Sequence, residues 1–255
     1  MLSIYNIIIK FFGFAIKIHS LYNQKSQQWI DGRKDIFFRL EKEITNNKNI
    51  VWFHCASHGE YEQVNQLISQ YKNNFPKDKI LLTFFSPSGF NNVKKNNCID
   101  WIFYLPLDTQ KNAKKFIKLV MPKKVFFVKS EFWYNYMNQL SLYKIPLYHV
   151  SCVFDKEKFS IFSSFSTEIL SKSKHFFVQD KNSLDVLNSI NIKNSSITGD
   201  TRFDSILENI KNKKEDQRIL EFCLNKIVII FASVWPEDEH IFKKFIKENS
   251  QYRFI

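Results

Sequence analysis

The chain has few glycines and few cysteines, 5 and 4 among its 255 residues, and its lysines form no dense cluster. The cysteines, Cys55, Cys98, Cys152 and Cys223, form no CxxC pair and no zinc-ligand spacing, which argues against a structural zinc site and favours a reducing compartment. The formal net charge of +12 favours anionic partners such as phosphorylated ligands or anionic lipid. Because no basic stripe accompanies that charge, nucleic acid is not expected as a partner.

A long uninterrupted apolar run is also absent. Lys10 and Lys17 interrupt the apolar segment at 2–22, whose longest unbroken run, 11–16, is too short to span a membrane, and no signal-peptide features accompany it. On a helix, its polar and small residues fall on one narrow stripe and leave the rest apolar. This pattern predicts a peripheral helix in the cytoplasmic interface of an anionic membrane, and docking on the protein core is the alternative.

Apolar, strand-like runs alternate with helical patterns along most of the chain. The runs are nearly continuous in apolar residues, as in parallel sheets covered on both faces, and predict a doubly wound α/β domain. Predicted strands lie at 50–57, 80–86, 101–105, 124–129, 146–153, 175–179 and 196–198. Predicted helices lie at 60–72, 88–95, 109–120, 132–143 and 181–189.

A change of pattern follows near residue 204. Residues 204–225 are helical and charged, and they precede a new strand at 227–232, a helix at 237–248 and a strand that begins at Tyr252. The predicted organisation is therefore an N-terminal membrane-associated helix at 1–22, a Rossmann-like domain at 23–203, a linker at 204–225, and the start of a second Rossmann-like domain at 226–255. The remainder of that second domain is expected to be missing.

Polar loops follow the ends of the predicted strands. Glu60 follows the first strand and Glu131 the fourth. Because the carboxyl ends of neighbouring parallel strands face one crevice, the two carboxylates are expected to lie together. Such a pair suits general-base chemistry on a hydroxyl, with one group taking the proton and the other orienting or stabilising. A glutamate at a helix start is equally suited to cap the helix, and that alternative stays open.

Six motifs at or near strand ends carry a resemblance to a known family. They are Trp52–Glu60, Thr83–Gly89, Tyr104–Asp108, Lys129–Asn135, Thr198–Asp204 and Ala232–Glu239. In this order they resemble the motifs of the 3-deoxy-D-manno-octulosonic acid (Kdo) transferases, which add Kdo to lipid A precursors in Gram-negative bacteria. The resemblance covers nearly the whole chain, and the apolar N-terminus is similar to that of a family that acts at the inner membrane.

The resemblance implies a GT-B glycosyltransferase that moves Kdo from CMP-Kdo to a lipid A precursor (lipid IVA) with inversion, without a metal or other cofactor. It implies that Glu60 is the general base and Glu131 the second acidic residue. The implied acceptor-binding residues are Ser57, Gly59, Ser86, Ser88, Gly89 and Trp133. The implied donor-binding residues are Arg202, Ser233 and Trp235.

The chain departs from the family pattern at several points. Lys129 stands where the family has an acidic residue, and Ala232 and Val234 stand where it has Gly and Thr. The family's donor-site motif G-G-x-N-x-x-E has no counterpart here. Two hypotheses follow: an incomplete Kdo transferase that needs a complementing C-terminal half, or a non-catalytic remnant that binds membrane and acceptor without transfer. A different GT-B sugar-nucleotide enzyme is disfavoured by the six ordered motifs.

Overall fold

The computed structural model describes residues 2–44, 47–155, 163–211 and 216–255, so residues 212–215 of the predicted linker lie outside the described residues. The chain divides into two compact units, Met1–Leu207 and Glu208–Ile255. The finer domain boundaries given above stay a prediction. Each unit is described by itself below.

The first unit is built on seven strands and the helices between them. The strands are β1 Ile50–Cys55, β2 Lys79–Phe84, β3 Trp101–Tyr104, β4 Lys124–Val128, β5 Leu147–Cys152, β6 His175–Val178 and β7 Ser195–Ile197. The helices are α1 Leu2–His19, α2 Gln24–Asp31, α3 Ile36–Ile44, α4 His58–Asn74, α5 Pro87–Asn92, α6 Gln110–Val120, α7 Tyr134–Leu142, α8 Ser163–Leu170, α9 Lys181–Ser189 and α10 Arg202–Lys211. All seven predicted strands are present, whereas α2, α3 and α8 were not predicted.

The seven strands form one parallel sheet in the order β3-β2-β1-β4-β5-β6-β7. The order runs outward in one direction from β1 and in the other from β4. Their shared boundary is therefore the topological switch point, where ligands of open α/β sheets bind. Every residue of β1 is buried, because helices cover both faces of the central strands. The predicted doubly wound α/β fold is confirmed.

Helix α1 is docked on this unit through one face. The Tyr5 hydroxyl donates to Oδ2 of Asp108 at 2.5 Å, and Nδ2 of Asn135 donates to Oδ1 of Asn6 at 3.0 Å. At Gly13 the helix approaches the loop after β3 so closely that a Cβ atom would lie 2.6 Å from a side chain of that loop. The core-docking alternative therefore holds for this face of the helix.

The opposite face of α1 is apolar and exposed. Its large side chains recur at helical spacing and keep between 49% and 69% of their surface accessible: Ile4, Ile7, Ile8, Phe11, Phe14 and Ile18. Among the described residues, α1 is the one helix long and apolar enough, by length and composition alone, to cross a membrane. The interrupted apolar runs of the sequence did not predict this property.

The second unit contains β8 Val228–Ile229, β9 Arg253–Phe254, α11 Gln217–Cys223 and α12 Glu239–Glu248. β8 and β9 pair in parallel, as expected for a βαβ element. Phe231 stacks on Phe242 and on Phe254, with ring centroids 4.1 and 5.8 Å apart. Neither α11 nor α12 contains a buried residue, so the packing rests on these few rings.

Candidate active site

Two acidic loops meet at the switch point of the sheet. β1 pairs with β4, the loop after β1 leads into Glu60 in the first turn of α4, and the loop after β4 carries Glu131. Both glutamates line an open cavity of about 340 Å³. The cavity is lined by Glu60, Lys129, Ser130, Glu131, Val153, Gln179 and Arg202.

Glu60 closes the start of α4 and also faces the cavity. Ser57 is the N-cap residue but makes no side-chain capping bond, and Oε2 of Glu60 accepts a hydrogen bond from the main-chain N–H of Ala56 instead. Glu60 is only 8% exposed, and this burial raises the pKa of its carboxyl above the ordinary value. The main-chain donors and the charge of Lys129 oppose the rise. Glu60 therefore caps the start of the helix and also lines the cavity.

Glu131 is half-buried in the loop between β4 and α7. Burial, as the larger cause, and the neighbouring charge of Glu60 raise its pKa to about 7, against the lowering effects of the nearby Trp133 side chain and the charge of Lys129. Two carboxylates that share a buried site do not both ionise easily. Glu131 therefore keeps its proton up to near neutral pH.

Trp133 is fixed beside Glu131 by a buried histidine. Its indole Nε1–H donates to Nε2 of His54 at 3.2 Å, and its ring stacks on Phe85 with centroids 4.9 Å apart. Because Nε2 of His54 accepts, the proton lies on Nδ1, which is 2.9 Å from Oγ1 of Thr83. Full burial lowers the pKa of His54 to about 3, so the ring is neutral. His54 has a structural role, and the described residues include no cluster of three or more potential metal ligands.

Lys129, the residue that directly follows β4, has a strained backbone conformation. Its φ of 60° falls in the left-handed region, which residues other than glycine rarely occupy. Two hydrogen bonds stabilise this conformation: the N–H of Lys129 donates to the carbonyl of Val150 at 2.8 Å, and its carbonyl accepts from Sγ of Cys152 at 3.2 Å. Such outliers concentrate at functional sites.

Arg202 reaches the same cavity from the first residue of α10. Its guanidinium pairs with the carboxylate of Asp200, with Nε 2.7 Å from Oδ2. The pairing lowers the pKa of Asp200 and fixes the orientation of the guanidinium. The structure therefore brings one of the three implied donor residues next to the two glutamates. Ser233 and Trp235 belong to the second unit, where both are exposed in the loop between β8 and α12.

The loop after β2 lies beside the loop after β1. The main-chain N–H of Ser86 donates to the carbonyl of Ala56 at 2.8 Å, and the hydroxyls of Ser86 and Ser88 are 2.8 Å apart. Gly89 is buried, and a Cβ atom there would lie 2.1 Å from the Phe84 ring, so close packing requires this glycine. By contrast, a Cβ atom at the exposed Gly59 would meet nothing within 4 Å. The face above Gly59 is open to a ligand.

A second cleft lies between α1 and the loop after β3. Lys10, Lys17, Arg33 and several apolar side chains line this space of about 720 Å³. Arg33 is held over the Trp29 ring, 3.6 Å from its centroid, and donates to three main-chain carbonyls. Arg33 was not predicted from the sequence, because two of the three carbonyls that accept from it belong to Phe85 and Leu105, which are 52 and 72 positions away. Gln179 was not predicted either, although the strand-end rule that singled out Glu60 applies equally at the end of β6.

The chain is similar to known proteins. The family model described as 3-deoxy-D-manno-octulosonic-acid transferase (kdotransferase) matches residues 32–205. The transferase of that name from Rickettsia bellii is 28% identical over 82% of this chain and 51% of its own length. That from Rickettsia prowazekii is 23% identical over 98% of this chain and 55% of its own length. The chain therefore spans about half the length of these relatives.

Solved structures share the fold at low sequence identity. The UDP-GlcNAc 2-epimerase of Neisseria meningitidis superposes with a TM-score of 0.57 at 13% identity, over 80% of this chain and 63% of that one. This similarity supports the GT-B-like architecture and carries no statement about substrate. Together, the family match over most of the first unit and the six ordered motifs show that the chain belongs to the Kdo transferase family.

Proposed function

We propose that this protein takes part in the transfer of Kdo from CMP-Kdo to a phosphorylated, acylated lipid A precursor (lipid IVA) in lipopolysaccharide biosynthesis. The observation that carries the proposal is the pair of glutamates in one cavity at the switch point, in a chain of the Kdo transferase family. One of the two is held as a capping base with a raised pKa and the other titrates near neutrality.

The proposed chemistry is a direct displacement. The carboxylate of Glu60 takes the proton of the attacking acceptor hydroxyl, and the hydroxyl oxygen forms a bond to the anomeric carbon of Kdo. The bond from that carbon to the phosphate oxygen of CMP breaks, CMP leaves with the electron pair, and the anomeric configuration inverts. Glu131 lies next to the acceptor and stabilises its orientation.

The substrates approach from two sides in this proposal. The open face above Gly59 and the hydroxyls of Ser57, Ser86 and Ser88 receive the acceptor sugar, and Trp133 packs against it. The Asp200-oriented guanidinium of Arg202 faces the CMP phosphate. Ser233 and Trp235 are proposed as donor-binding residues of the second unit. Gly89 acts through packing, because Phe84 occupies the space where a side chain would lie.

A peripheral location on the cytoplasmic side of the inner membrane belongs to the same proposal. The exposed apolar face of α1 supplies the area for insertion into the lipid interface, and Lys10 and Lys17 supply charges for phosphates. The adjoining cleft, with its cations and apolar walls, suits an acceptor that carries both phosphate and acyl chains.

A transfer assay tests the activity. The chain is incubated with CMP-Kdo and a tetraacyl lipid A precursor, alone and with the part of the Rickettsia bellii relative that follows the matched half. We expect transfer with the added half and none by the chain alone, because the chain spans only about half the length of the transferases that it matches. Acceptor binding without transfer in either mixture would support the non-catalytic alternative.

A vesicle experiment tests the location. The variant Phe11→Glu places a charge on the outer face of α1, where the wild-type ring is 69% exposed, and should abolish most binding to anionic phospholipid vesicles in a sedimentation assay. Leu142→Glu is the matched control, since this α7 side chain is 67% exposed on another surface. Equal binding by Phe11→Glu and Leu142→Glu would contradict the membrane role of α1.

A further inference from the structure

The cavity at the switch point holds two glutamates but also a cation that the proposed chemistry does not use. Lys129 lines the cavity with Glu60 and Glu131 and directly precedes the loop that carries Glu131. Its backbone is held in the left-handed region by the hydrogen bonds to Val150 and Cys152. The surrounding structure therefore imposes both the position of this residue and the strain it bears.

The two cations of the cavity are bound differently. Arg202 is committed to Asp200 through two hydrogen bonds. For Lys129, the described residues show no carboxylate within 4.0 Å of the ammonium, yet its charge acts on Glu60, Glu131 and Asp200 alike. An ammonium shared in this way stabilises the ionised form of several carboxylates without neutralising one of them by direct contact.

The other titratable groups around Lys129 do not replace it. The thiols of Cys55 and Cys152 are fully buried, and burial raises the pKa of each, so both are neutral at physiological pH. Arg202 faces Asp200 and is not among the charges that lower the pKa of either glutamate. Lys129 is therefore the nearby positive charge that opposes protonation of the glutamate pair.

We propose that Lys129 is a positioning residue that keeps the Glu60–Glu131 pair singly ionised, so that one carboxylate stays available as the base. This inference rests on the proposed function, because it assigns the charge state that the base requires. It predicts that loss of the ammonium shifts the titration of the pair upward by about 1 pH unit, the low end of the shift that an opposite charge in the same site causes.

Titration of the intact chain tests the inference without a transfer assay. The carboxyl carbons of 13C-labelled glutamate are followed by NMR against pH, with Glu60→Gln and Glu131→Gln used to assign the two resonances. We expect Lys129→Gln to raise the apparent pKa values of the pair by about 1 unit, and Lys129→Arg to keep them near those of the wild type. Lys118→Gln, which removes an exposed lysine of α6, should leave them unchanged.

A second variant, Lys129→Gly, controls for a folding defect in Lys129→Gln. Lys129→Gly removes the charge and suits the left-handed backbone, so it should fold at least as well as the wild type and show the same upward shift. Titration of the pair within about 0.2 units of the wild type in both Lys129→Gln and Lys129→Gly would overturn the inference. That result would leave the proposed function standing, whereas no transfer by the wild type together with the added C-terminal half would remove the function and leave the titration intact.

Discussion

Two buried acidic sites of the first unit, both built at strand ends, are organised in opposite ways. Asp108 follows β3 and is 1% exposed, and its carboxylate accepts from the Tyr5 hydroxyl and from the main-chain N–H groups of Asn135 and Tyr136. Glu60 and Glu131 follow β1 and β4 and face an open cavity. Burial raises the pKa of Asp108 to about 6, but its three donors leave no room for a substrate. Its saturated hydrogen bonding gives Asp108 a structural role, whereas the open cavity leaves the two glutamates accessible to a ligand.

The largest effect on stability is expected at Asp108. Asp108→Asn keeps the size of the side chain but replaces one acceptor oxygen with a donor, so at least one buried N–H or the Tyr5 hydroxyl loses its partner. We expect a loss of about 1–3 kcal/mol in the free energy of unfolding, measured by urea denaturation, with loosening of α1. Glu60→Gln is the matched control and should unfold within about 1 kcal/mol of the wild type. Equal losses of stability in the two variants would contradict the assignment of a structural role to Asp108 alone.

Gly89 and Gly59 provide a second test of the difference between closely packed and open strand ends. Gly89→Ala drives a Cβ atom into the Phe84 ring and should cost about 1–3 kcal/mol of stability, as overpacking of a core does. Gly59→Ala meets open space and should fold like the wild type while reducing affinity for the acceptor severalfold in a binding titration. Wild-type acceptor affinity in Gly59→Ala would argue against an acceptor surface above this glycine.

An effect that depends on pH is expected at Glu131. Its pKa in the folded state is about 7 against an ordinary value of 4.5, so the folded state binds this proton more tightly than the unfolded state. The wild type therefore loses stability as the pH rises from about 4.5 through 7. Glu131→Gln, which mimics the protonated form, should be more stable than the wild type by about 1–3 kcal/mol at pH 8 and equal to it at pH 4. A difference that does not change with pH would contradict the assignment.

Features of this structure that depend on local sequence patterns were predictable, whereas those that depend on contacts between residues distant in sequence were not. β1 and β4 were predictable because continuous apolar runs identify buried parallel strands, and the strand-end rule then placed Glu60 and Glu131 in one crevice. The role of Asp108 was not, because the bond from Tyr5 joins residues 103 positions apart. The left-handed backbone of Lys129 is likewise fixed by hydrogen bonds to Val150 and Cys152 of β5, and no local sequence pattern predicts it.

Substitution of Glu60 can reduce Kdo transfer either by removing the base or by destabilising the fold, and one experiment separates the two. The decisive measurement compares Kdo transfer, acceptor binding and unfolding for Glu60→Gln and the wild type, each completed with the same C-terminal half. We predict that transfer falls by at least about 100-fold while acceptor binding and stability stay near the wild-type values. Transfer within a few-fold of the wild type would contradict the role of Glu60 as the base.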